Sequence, residues 1–179
     1  AVIGLNLPHE NKVKKITIIP RGQAGGYNLM LPAEETFTKT KNQYLAEISS
    51  YLGGRVAEEI LFGDVSDGAY GDIKSLTQIA RVMVVQLGMS DLGPIQYQDT
   101  SQDVFLGRDY GSGQGYSNET AAKIDAEVRR IVDEAYELTT KIITDNRKQL
   151  DLIAETLIEQ ETITEEEIEN IAAGRPLDY

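Results

Sequence analysis

One stripe of apolar residues constrains the fold more than any other feature. Between Ser117 and Asp145, the residues Ala121, Ile124, Val128, Ile131, Ala135, Leu138 and Ile142 recur at alternating three- and four-residue spacing. That spacing puts all seven on one face of a long helix, and the face has to be covered by a neighbouring element. Ser117 offers a hydroxyl to the free N–H groups at the start of the helix. A second helix, over about residues 147–160, carries Leu150, Ile153 and Leu157, and the short connection predicts a helical hairpin. A third opens at Thr164, where Glu167 completes a capping box and Ile163 and Ile168 occupy the positions of a hydrophobic staple. Residues 116–173 therefore read as a helical bundle, and 174–179 as a tail.

The first part of the chain is more mixed. Lys12 to Ile19 (KVKKITII) is rich in β-branched residues and reads as a strand. Pro20, Gly22, Gly25 and Gly26 turn the chain, and Tyr27–Leu31 reads as a second strand closed by Pro32. The pair forms a candidate antiparallel hairpin. Its outer strand, Tyr27, Asn28, Leu29 and Met30, is either a plain surface strand or an edge to which an extended peptide adds. A helix then starts at Thr38 or Thr40, with Leu45, Ile48, Leu52, Val56 and Ile60 on its buried face. Gly53 and Gly54 interrupt it at a cost of about 2 kcal/mol relative to alanine. This calls for a break or for close approach of another helix. Arg55, Glu58 and Glu59 follow, as solvated charges or as groups around a buried site.

After a loop from Phe62 to Gly71, Asp72 opens a helix that runs to Gln86 and stops at Gly88. Ile73, Leu76, Ala80, Met83 and Leu87 form its apolar stripe. Asp72 itself reads as a helix cap or as a metal ligand. Ser90–Gly115 has no helical period and reads as a long loop. The fold class is thus mainly α with a small N-terminal β-hairpin or sheet, an α+β arrangement ending in a helical bundle.

Composition narrows the chemistry. The 179 residues hold 17 Lys and Arg against 29 Asp and Glu, a net charge of −12, which disfavours contact with nucleic-acid phosphates. There is no Cys, so thiolate metal sites and disulfides are excluded, and with His9 the sole histidine no site of two or three imidazoles can be built from these residues alone. No run approaches the roughly 20 apolar residues of a spanning helix. The opening AVIGLNL reads as the tail of a helix that begins upstream.

Several segments together resemble one family. They are LPHENKVKKITIIPRG, GGYNLMLP, LGGRVAEEILFG, SDGAYGDIKSLTQIARVMVVQLGMSDLGP, VFLGRDYG and LIEQETITEEEIENI, in this order. They are similar to the C-terminal peptidase domain of the FtsH-type ATP-dependent zinc metalloproteases, over almost the whole chain. The resemblance implies a peptidase domain over 1–179, with residues 1–115 as the active-site half. It implies Zn2+ as cofactor, with two His and a catalytic Glu in an H-E-x-x-H motif directly upstream of Ala1 and Asp72 as the third ligand. Glu58 or Glu59 would orient a ligand imidazole, and the Tyr27–Met30 edge would take the substrate backbone. Gly71 departs from the Asn common before that Asp, and Ser66-Asp67-Gly68 replaces a more usual Thr- or Ser-rich pair.

The resemblance further implies protein substrates, an AAA+ module using ATP and Mg2+, a homo-hexamer, and attachment to the cytoplasmic face of a membrane through other segments. The 179 residues themselves are expected to be soluble and, holding one ligand and no general base, inactive alone. The alternative is a non-catalytic FtsH-like assembly subunit.

Overall fold

The computed structural model describes residues 1–22, 25–32, 34–35, 37–97 and 115–177. Helix α1 (Val2–Asn6), strand β1 (Lys12–Thr17) and strand β2 (Tyr27–Leu31) come first, followed by α2 (Lys41–Phe62). A single 3-10 turn, Asp67–Ala69, leads into α3 (Tyr70–Val85). Then come α4 (Asn118–Asp145), α5 (Arg147–Gln160), β3 (Thr162–Ile163) and α6 (Glu165–Ala172). The mainly helical class with a small antiparallel sheet agrees with the sequence-based expectation. Most of the loop expected over Ser90–Gly115, with the VFLGRDYG segment, lies outside the described residues.

α2 starts at Thr40. The Gln43 N–H donates to Thr40 Oγ1 at 3.2 Å and the Thr40 N–H to Gln43 Oε1 at 2.7 Å, a capping box that satisfies two otherwise free donors. The helix ends at Gly63, whose φ of 65° is open to glycine at little cost. Contrary to expectation, it runs unbroken through Gly53 and Gly54. A Cβ at Gly53 would meet Ile3 of α1 at an ordinary 3.5 Å, and one at Gly54 would meet nothing within 4 Å. Close approach therefore does not account for the pair, and nothing in the structure explains Gly54.

The core lies among α2, α3 and α4, with Ile48, Leu52 and Val56 meeting Leu76, Ala80, Met83 and Val84, and Ile124, Ile131 and Ile143 closing the third side. α2 turns small residues inward beside these, Ala46 and Ser49. Thr139 Oγ1 donates to its own helix at Ala135 O (2.7 Å) and lies 3.2 Å from Ser49 O across the interface. The Ser49 hydroxyl is buried without a hydrogen-bond partner.

The stripe of α4 is a finding against the seven-residue reading. Its fully buried positions are Ile124, Ile131, Ala135, Thr139 and Ile143, while Leu138 is 41% exposed. An ideal helix repeats every 3.6 residues, so a strict 3.5 pattern drifts around it unless the helices supercoil. Here the buried face follows the straight helix and passes from Ala135 to Thr139. Likewise, Ile73 and Leu87 at the two ends of the α3 stripe are 37% and 40% exposed, because α3 is covered only along its middle. Its end does follow expectation. Gly88 has φ 60°, the Met89 N–H reaches Met83 O at 2.9 Å, and a Cβ at Gly88 would sit 2.7 Å from Pro94 Cα, so only glycine fits.

The expected hairpin is present but belongs to a three-stranded sheet of order β2-β1-β3. β1 pairs with β2 through Lys12↔Leu31 and Thr17↔Tyr27, with an irregularity between Val13 and Lys15. β3 returns from the far end of the chain to pair Ile16↔Ile163 and Thr17↔Thr162. Glu161, at φ 61°, ends α5 and gives its carbonyl to the Ile18 N–H at 3.0 Å. The hydroxyls of Thr17 and Thr162 meet at 2.8 Å, and Lys12 and Lys14 pair with Glu165. α5 follows α4 after Asn146 alone and packs on β3 and α6, so the predicted hairpin is an elbow.

One outcome follows from this packing. Gly54→Ala raises stability by about 1 kcal/mol in denaturant unfolding, since alanine gains helix propensity and meets no atom; a loss would point to a contact at that position.

Candidate metal centre and substrate edge

Asp72 stands in the first turn of α3, three residues after Ala69. Ala69 holds the N-cap position, and no side chain caps the helix. The cap reading of Asp72 thus lacks its hydrogen bond. Among the described residues its carboxylate accepts no hydrogen bond and makes no ion pair, while desolvation raises its pKa above the usual Asp value. The residue is exposed, so its carboxylate remains open to solvent and accessible to a cation. No group of three or more His, Cys, Asp or Glu able to hold a metal converges among the described residues, and Asp72 belongs to no such cluster there. His9, the sole imidazole, is exposed between α1 and β1.

Sequence reasoning offers Glu58 and Glu59 as groups that steady a ligand imidazole, and the structure gives them other partners. Glu58 Oε2 accepts from the Ser66 N–H at 3.1 Å and Glu58 Oε1 from the Ser66 hydroxyl at 2.7 Å. These two bonds hold the Glu58 carboxyl below the usual Glu range. Glu59 pairs with Arg55 one turn back at 3.4 Å. Arg55 Nη1 also reaches Ser66 O at 3.4 Å, a long contact. Ser66 Oγ accepts from the Gly68 N–H at 3.2 Å and so caps the 3-10 turn that leads to Asp72. Ser66 is the residue that sequence reasoning missed. It lies eight positions from Glu58 across a reversal of the chain, outside any helical or strand period.

The Tyr27–Met30 edge is the outer strand of the sheet. Asn28 and Leu29 are exposed, while Tyr27 lies beneath Lys15 Nζ at 5.7 Å. Met30 turns inward, its sulfur 3.8 Å from the Ser50 hydroxyl, and anchors the strand on α2. Three of the four residues thus stay open or half-open along the free edge, and one is structural. A cleft of about 570 Å3 lies farther along, lined by His9, Glu10, Lys39 and Glu47 among others, and includes neither Asp72 nor Glu58.

A cap and a metal donor differ in what they do for the metal-free fold. Because Asp72 makes no capping bond, Asp72→Asn changes metal-free stability by less than about 0.5 kcal/mol, whereas loss of a working cap costs about 1 kcal/mol. Denaturant unfolding in the presence of a chelator reads the difference.

The pattern that defines Peptidase family M41 is matched over residues 1–171. The chain is 52% identical over 179 residues to an ATP-dependent zinc metalloprotease FtsH of Acholeplasma laidlawii, covering all of this chain and 28% of the relative. It is 53% identical over 171 residues to FtsH 2 of Phytoplasma mali (96% of this chain, 24% of the relative). With FtsH of Bacillus subtilis the identity is 51% over 172 residues, 95% and 27% of the two chains. The chain spans about a quarter of the length of these curated relatives. With the order of segments, the helical class and the match over nearly every residue in agreement, the chain belongs to peptidase family M41, that of the FtsH-type zinc metalloproteases.

Proposed function

We propose that these residues form the proteolytic module of an ATP-dependent zinc metalloendopeptidase that degrades unfolded or membrane proteins, with Asp72 as one of three protein ligands to Zn2+. The observation that carries this reading is the Asp72 carboxylate, exposed in the first turn of α3 and without a partner among the described residues, in a chain that matches this family over residues 1–171. Two His and a general-base Glu would come from an H-E-x-x-H motif outside the 179 residues. When bound, zinc lowers the pKa of a coordinated water to near 7 and polarises the scissile carbonyl. Asp72 contributes a fixed negative donor, and its place on a helix rather than on a loop limits its movement. The free edge of β2 binds an extended substrate by main-chain hydrogen bonds, leaving Asn28 and Leu29 to face it. ATP and Mg2+ belong to an AAA+ module elsewhere in the protein. Assembly as a homo-hexamer and anchorage at the cytoplasmic face of a membrane are likewise properties of the whole protein. Among the described residues no helix is long and apolar enough to cross a membrane.

Zinc analysis and peptidase assays test the reading. The 179 residues alone retain no stoichiometric zinc and cleave no peptide. The full-length protein holds one zinc per chain, and Asp72→Asn lowers its peptidase activity by more than about a hundredfold. A full-length protein without zinc or peptidase activity makes it the non-catalytic assembly subunit instead.

A further inference from the structure

We infer that Glu58 and Ser66 form a positioning clamp for Asp72, so that metal affinity depends on two residues that never touch the metal. The inference rests on the reading of Asp72 as a zinc ligand.

The geometry is specific. Both oxygens of one carboxylate are committed to a single residue, Ser66, one to its backbone N–H and one to its hydroxyl. Charge-assisted bonds of this kind are stronger than neutral ones. The same hydroxyl then accepts from the Gly68 N–H, so Ser66 both receives the clamp and shapes the turn after it. Ser66 sits in extended backbone at φ −109°, ψ 172°, and Asp67–Ala69 form the 3-10 turn. At the other end of the turn Ala69 is buried at 6% exposure. The segment before α3 is thus fixed twice: by a polar bond to α2 on the outside and by a methyl group in the core. Asp72 follows Ala69 by three residues and has no bond of its own to hold it. Its position is set by the first turn of α3, which the body of the helix holds on one side and the Ser66–Ala69 turn on the other. Glu58 and Ser66 are positioning residues, and Asp72 is the ligand.

Each Glu58 oxygen accepts one bond from Ser66 and keeps a further lone pair, so the clamp is compatible with an additional donor at either oxygen.

The experiment uses the full-length protein and measures zinc affinity by competition with a chromogenic chelator. Amide exchange of residues 67–72 is followed in the metal-free state. Ser66→Ala and Glu58→Ala each weaken zinc binding about tenfold, within the range for groups that support a ligand. Both speed exchange in residues 67–72 without changing exchange in α4. Ser66→Thr, which keeps the hydroxyl in backbone that suits a β-branched residue, restores wild-type affinity. If Asp72→Asn weakens zinc binding while Ser66→Ala and Glu58→Ala do not, the clamp is wrong and the ligand reading stands. If Asp72→Asn itself leaves zinc affinity unchanged, the ligand reading fails and takes the clamp with it. Should Glu58→Ala fail to fold, the exposed Ser66 pair, alanine against threonine, decides alone: equal affinities overturn the proposal.

Discussion

Covering α2 on three sides at once is the constraint on which the remaining structure depends. The helix meets α1, α3 and α4, and its buried flank mixes the small Ala46 and Ser49 with Ile48, Leu52 and Val56. Small residues let neighbouring backbones approach, and the Thr139 hydroxyl comes within 3.2 Å of Ser49 O. The unpartnered Ser49 hydroxyl costs something, of order 1–3 kcal/mol for a buried group without a bond. Dispersion contacts in a packed interior offset such a cost over many atoms. With α2 fixed in this way, its exposed C-terminal turns become a rigid base, and Glu58 stands on that base.

The candidate centre is best understood as a set of unequal satisfactions. Glu58 is more than satisfied, with two donors and a lowered pKa, whereas Asp72 has none and a raised one. The two carboxylates lie on adjoining helices of the same fold. Environment alone separates them: Glu58 ties α2 to the turn before α3, while Asp72 makes no such tie among the described residues.

The sheet gives the two ends of the chain a common boundary. β3 has only two residues, yet it places Ile163 against Ile16 and aligns Thr162 with Thr17. The lysines of β1 meet Glu165 and Glu169 at the start of α6, and those exposed pairs set register more than they add stability. One consequence is that β1 has both neighbours filled, which leaves β2 at one edge of the sheet and the two-residue β3 at the other. The division into an active-site half and a bundle half is therefore crossed by the sheet and by the packing of α4 on α2 and α3.

Helix positions, a hydroxyl cap at Thr38 or Thr40, the capping box at Thr164, the stop at Gly88 and the two strands of the hairpin were legible in the sequence, because each depends on residues within a few positions of one another; the choice of Thr40 and its box with Gln43 came from the structure. Family membership was legible for a related reason: ordered short segments carry it whatever their three-dimensional arrangement. The seven-residue stripe of α4 misled at Leu138, because period alone does not say whether helices supercoil. β3 was invisible, since two residues show no alternation. The bonds between Glu58 and Ser66 were equally hidden. They join residues on the two sides of a chain reversal, and nothing in either residue names the other. By itself the sequence determined most of the elements and offered Asp72 as a helix cap or a candidate ligand. Only the tertiary structure decided which distant groups meet, as Glu58 and Ser66 do, because that bond forms when α2 and the turn before α3 are brought together by the burial of Val56, Ala69 and Leu76.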